Sequence, residues 1–152
     1  MKSWEIISER GIKALSLNER DVPVPGFGEV LIDVRASSIN FRDLMTIEDP
    51  LPRGVKFPFS PNSDCAGEVI DVGQGVDRAC LGKKVMGCFF QSWLSGEINP
   101  SVMASALGGA IPGVLAEKVL LKHDGIVEIP KGFTFEEAST LPCAAVTAWH
   151  SL

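Results

Sequence analysis

Asn40, Arg42 and Asp43 stand within four positions of one another in SSINFRDLMT, residues 37–46, just past a strand-like run. An amide can both donate and accept hydrogen bonds, a guanidinium only donates, and a carboxylate accepts. Such a set can meet the polar atoms of a ligand. It can also cap and turn the end of a strand, since Asn and Asp readily bond nearby backbone. The other candidate chemistry is thiol chemistry. Cys65, Cys80, Cys88 and Cys143 contain no C-x-x-C pair, and His123 and His150 lie far along the chain from the first three. A structural zinc site needs about four such ligands, usually in short paired spacing, so free thiols in a reducing compartment are expected. No phosphate cradle is visible either. GQG at 73–75 has Arg78 where the last glycine of G-x-G-x-x-G belongs and reads as a turn, and LGGAIPG lacks a strand–turn–helix setting.

The elements that must position these residues are mostly strands. GEVLIDVRASSI alternates, with Val30, Ile32 and Val34 on one face and Leu31, Asp33 and Arg35 on the other. KSWEII, KALSLNERDVPVP, DCAGEVIDVG and KKVMGCFF read as further strands, and GVLAEKVLLKHDGIVEIP as two more separated by the turn signal HDG. Strands at this spacing indicate a barrel or sandwich. Residues 91–112 carry Gly, Pro, Ser and Asn without a period, and read as a functional loop or lid, or as a loop pinned to the core by Trp93. The pattern changes at Thr134. TFEE is a capping box, and Pro142 suits the first turn of a second helix, PCAAVTAWHSL, which has no stop signal before residue 152.

With 45% hydrophobic and 22% charged residues, the chain of 152 residues has ordinary globular composition. Its net charge of −5 comes without any basic stripe, which argues against nucleic-acid binding. No apolar run suits a membrane span, and MKSWEIISERG has no signal-peptide core, so a cytoplasmic protein is expected.

Taken together, VPVPGFGEVLIDVRASSINFRDLM, FPFSPNSDCAGEVIDVGQGV, GVLAEKVLL and FTFEEASTLPCAAVTAWHSL resemble the N-terminal part of medium-chain dehydrogenase/reductases, in their zinc-independent, quinone-oxidoreductase-like branch. The resemblance implies a mainly β fold: a GroES-like β-barrel over residues 1–130, followed at 131–152 by the helical start of a Rossmann domain that is absent here. Zinc-dependent members place a Cys ligand where Asn40 stands and a His ligand in the triplet that reads Asn62-Ser63-Asp64 here. Amide and hydroxyl groups replace thiolate and imidazole poorly as Zn²⁺ ligands, and residues 91–112 contain no Cys for the family's four-Cys lobe. No metal is expected.

The same resemblance marks Asn40 and Asp43 as candidate catalytic residues, and Asn40 and Thr147 as candidate contacts to a nicotinamide cofactor, NAD or NADP. Asp43 and Asp64 have a structural alternative, holding Arg42 or nearby backbone amides; for Thr147 the alternative is an exposed helical position without a role. The implied activity is hydride transfer to a small carbonyl, enone or quinone, in a homodimer, with the 152 residues alone inactive. An enoyl-thioester reductase module, or a binding or assembly domain without turnover, stays open beside it. The chain has no Tyr, so a phenol from this domain cannot supply the proton for double-bond reduction.

Overall fold

The computed structural model describes residues 1–8 and 11–152. Among the described residues seven strands carry the fold: β1 (Lys2–Ile6), β2 (Leu15–Glu19), β3 (Glu29–Ser38), β4 (Asp64–Val72), β5 (Lys84–Gly87), β6 (Lys118–Lys122) and β7 (Ile126–Glu128). β1 pairs antiparallel with β2, and the other five form one antiparallel sheet in the order β6-β3-β4-β5-β7. The alternation read in β3 holds where Val30 and Ile32 enter the main core with Cys65, Val69, Val85, Leu107, Val114 and Leu121. Leu31, on the opposite face, is buried as well. Register shifts at Leu31/Ile32 and Val34/Ala36 interrupt the two-residue period, as bulges do.

The sheet is forced to curl by its own connectivity. β6 and β7 lie at opposite edges, yet only the three-residue turn His123–Gly125 joins them. The four Cα steps from Lys122 to Ile126 reach at most about 13–14 Å, whereas the edges of a flat five-stranded sheet stand about 19 Å apart. The edges must therefore approach each other, which makes the barrel. Gln91 bonds across the seam: its buried amide donates to Cys88 O at 2.8 Å and Gly125 O at 3.0 Å, and accepts the Lys122 N–H at 2.9 Å. A Cβ on Gly125 would stand 2.6 Å from the Gln91 Oε1, so only glycine leaves room for the plug.

Among the described residues four short α-helices surround the sheets: α1 (Phe41–Glu48), α2 (Pro100–Met103), α3 (Phe135–Ser139) and α4 (Val146–Ser151). α3 starts at the expected capping box, Thr134 accepting the Glu137 N–H at 3.2 Å while Glu137 accepts the Thr134 N–H at 2.9 Å. Between α3 and α4, Leu141–Ala145 forms a π-helical turn, with the Ala145 N–H bonded to Thr140 O. Pro142 sits in its first turn, where a missing N–H costs nothing. No helix among the described residues is long and apolar enough to cross a membrane.

Candidate active site

The end of β3 turns into α1 at Asn40, which is the N-cap. Asp43, at the third helical position, accepts the Asn40 N–H at 2.8 Å in a capping-box arrangement. Helix α1 is absent from the sequence reading, although Asn-x-x-Asp is a local signal of the same kind as TFEE. Asp43 is completely enclosed, and burial pushes its carboxyl above the usual range, opposed by the Asn40 N–H and the Arg42 charge. Its Oδ1 stands 4.0 Å from Arg42 Nη1 and has no hydrogen-bond partner.

Asp64, the first residue of β4, is equally enclosed. One oxygen accepts from Ser63 Oγ at 3.0 Å and the other from the backbone N–H of Cys143 at 3.0 Å. The first N–H groups of a helical segment lack intrahelical partners, and here a carboxylate from a distant strand satisfies one of them. Asp64 therefore takes the backbone-holding role expected of it. Burial raises its carboxyl too, opposed first by the Asn40 amide beside it. Together with Ser38 Oγ, which donates to Ser139 O at 3.0 Å, it ties the helical tail to the barrel. Asn40 Nδ2 is buried without a well-formed partner.

Beside this cluster lies an open cleft of about 660 Å³. One wall is the segment after β5, with Cys88, Phe89, Phe90 and Trp93; the other is the helical tail, with Pro142, Cys143, Val146, Thr147 and His150. Phe90 packs edge-on against Phe89 at 4.7 Å and against Trp93 at 5.6 Å. Thr147 thus faces the cleft, while Asn40 and Asp43 are not among its lining residues. The Phe89–Phe90 pair is not singled out in the sequence reading, which holds Cys88 and Cys143 as free thiols and Trp93 as a loop anchor; FF before a polar loop was the available signal. Trp93 donates to Gly96 O at 3.0 Å within its own loop while packing on Phe90.

The four cysteines are free thiols. Burial pushes Cys65 up to about 12 and raises Cys88 and Cys143 as well, the latter further through the Asp64 and Asp43 charges. Raised thiols are poor nucleophiles. Among the described residues no group of three or more His, Cys, Asp or Glu side chains is arranged to hold a metal ion. At the positions where zinc would be expected, Asn40 offers an amide and Ser63 a hydroxyl that already donates to Asp64 Oδ1 at 3.0 Å. This donor set does not fit zinc.

An antiparallel β-barrel with a helical tail closing one side of an apolar cleft defines the GroES-like domain of medium-chain dehydrogenases and reductases. The chain belongs to this family: the alcohol dehydrogenase GroES-like domain matches residues 26–131. A zinc-type alcohol dehydrogenase-like protein of Schizosaccharomyces pombe is 38% identical over 93% of this chain and 41% of its own length. A chloroplastic quinone-oxidoreductase homolog of Spinacia oleracea is 34% identical over 93% of this chain and 38% of its own. The solved structure of a candidate alcohol dehydrogenase from Sinorhizobium meliloti superposes with a TM-score of 0.89 at 37% identity, covering 99% of this chain and 45% of that one. The chain therefore spans about two fifths of the length of these curated relatives.

Proposed function

We propose that this chain is the catalytic-domain part of a nicotinamide-dependent oxidoreductase, using NAD or NADP, that passes hydride to a quinone or an activated double bond without zinc. The observation that carries the reading is the cleft: aromatic on one wall, with the Thr147 hydroxyl on the other. A mostly apolar slot with few polar groups suits a flat, conjugated acceptor. The name of the spinach relative supports a quinone. The zinc-free part rests on the donor set at Asn40 and Ser63, an amide and a hydroxyl.

The nicotinamide, when bound, supplies the hydride. In this reading the Asn40 amide, whose Nδ2 is buried without a well-formed partner beside the cleft rather than on its lining, and the Thr147 hydroxyl on the cleft wall are the two groups assigned to the cofactor or acceptor. Asp43 supports Asn40 through the cap rather than by touching the acceptor, which makes it a positioning residue. For the 152 residues alone, one or two neutral hydrogen bonds contribute roughly 0.5–1.5 kcal/mol each. That is too little to offset the entropy of fixing a dinucleotide, so weak cofactor binding and no turnover are expected of them. Val146 and Trp149 project apolar surface from α4, which supports association of this face with another subunit or domain. The cytoplasmic setting read from the sequence stays part of the proposal, although the spinach relative is chloroplastic by name.

The test uses a protein that also carries the nucleotide-binding half. Asn40→Ala should lower kcat by about ten-fold, one hydrogen bond made in the transition state, and shift cofactor Kd by less than about three-fold. Wild-type turnover of the variant with both quinone and enone acceptors would reduce Asn40 to a helix cap.

A further inference from the structure

Arg42 is not among the residues lining the cleft, yet it meets both segments that build the aromatic wall. Its Nη1 donates to Leu107 O at 2.8 Å and lies 3.4 Å from Gly108 O. Its guanidinium carbon sits 4.6 Å from the centre of the Phe89 ring. Leu107 in turn donates its N–H to Phe89 O at 3.0 Å, so the carbonyl that Arg42 grips and the ring it covers belong to one hydrogen-bonded pair of segments. From Phe89 the packing runs edge-on through Phe90 to Trp93. The Arg42 side chain is only 26% exposed, and the enclosed Asp43 Oδ1 lies 4.0 Å behind it.

The fit around this guanidinium is close. A Cβ on Gly109 would stand 2.1 Å from Arg42 Nη2, and the three atoms nearest to it all belong to that guanidinium. A planar fork can bond a carbonyl in its plane and stack a ring on its face at once, which a lysine ammonium cannot.

We propose that Arg42 is the positioning residue of the acceptor cleft: it fixes the Phe89–Phe90–Trp93 wall, and hence the fit of a flat apolar acceptor, by joining the Phe89 ring and the 107–108 backbone to helix α1. The acceptor part of this proposal rests on the function proposed above; the joining of the wall does not.

Two measurements on the 152-residue chain test it. The first is hydrogen exchange. Arg42→Ala should speed exchange in 88–93 and 105–111 by about ten-fold or more, the scale of a lost charge-assisted hydrogen bond, and leave the β3–β4 core as in the wild type. The second is quenching of Trp93 by 2-methyl-1,4-naphthoquinone in a Trp4→Phe, Trp149→Phe background, with the apparent Kd rising by about ten-fold in Arg42→Ala. Arg42→Lys should recover only a small part of either change. Gly109→Ala displaces the guanidinium without altering Arg42 itself; it should act in the same direction, and add nothing in an Arg42→Ala background.

Unchanged exchange in 88–93 with Gly109→Ala or Arg42→Lys would overturn the proposal, and both variants serve if Arg42→Ala does not fold. Additive effects of Gly109→Ala and Arg42→Ala would overturn it as well. If the wild type does not bind the naphthoquinone at all, the acceptor part falls, and the exchange pattern still decides whether Arg42 holds the wall.

Discussion

At the two-stranded sheet, Arg20 grips Glu5 with Nε and Nη2 at 2.8 and 2.6 Å, and Asn18 adds a bond at 2.8 Å. At the end of β3, Arg42 stands 4.0 Å from Asp43 and spends its hydrogen bonds on loop carbonyls instead. The side-chain types are the same, and the outcomes are opposite. Arg20 is half exposed, and its hydrogen bonds hold Glu5 below the usual carboxylate range. Around Arg42, two enclosed carboxyls share one partly buried guanidinium, and burial holds both of them above that range. An ion pair with matched geometry lowers the cost of its own charge. A buried cluster whose donors are committed to backbone carries that cost and uses the groups for placement.

The largest effect expected from breaking this contrast is at Asp64. Asp64→Ala leaves the Cys143 N–H and the Ser63 hydroxyl without their acceptor and removes one of the ties between helical tail and barrel, the Ser38–Ser139 bond remaining. A loss of about 2–3 kcal/mol is expected in urea unfolding, the scale of hydrogen bonds to a charged group. Asp64→Asn, which keeps an acceptor, should cost clearly less. Equal losses in the two variants would mean that the charge, rather than the bond to Cys143, holds the tail.

The pH dependence sharpens the comparison at intermediate size. Asp43 and Asp64 bind a proton more readily folded than unfolded. Their contribution to stability is complete below the ordinary carboxylate range and is lost as pH rises through their raised native values. Glu5 behaves in reverse: its contribution is present above that range and is lost as pH falls through its depressed native value. Asp43→Asn, which retains an acceptor for the Asn40 N–H, should therefore flatten the decline in stability with rising pH. Chemical denaturation across pH 4 to 8 reads the slope, and a steeper decline in the variant would reverse the assignment of cost.

The smallest effect is at the rim. Glu5→Gln should remove only the acid-side loss of stability and bring a modest change near neutrality, because the pair faces solvent on its Arg20 side. Added salt should weaken the wild type slightly toward the variant. A salt-insensitive difference larger than that of Asp64→Asn would place the main electrostatic support at the two-stranded sheet.

Much of the architecture was legible because it is written in local periods and caps. Alternation marked β3, the TFEE box marked the start of α3, and Pro142 marked the first turn of the tail. Helix α1 was missed although its cap pair, Asn40 and Asp43, was singled out for chemistry: one local pattern serves both readings, and only the backbone that follows separates them. The cleft was half legible. Thr147 lies on it, whereas the aromatic wall opposite gains its meaning from a helix that is remote in sequence.

The sequence by itself determined which segments are strands and where the helical tail begins, because each depends on residue types at short fixed spacing. Only the tertiary structure decided that the strands on either side of HDG take opposite edges and close the sheet. It alone decided that Asp64 would find an amide 79 residues away and Arg42 a carbonyl 65 residues away. Those pairings follow from strand register and from the need of buried polar groups to find partners once water is excluded, and no local pattern carries either condition.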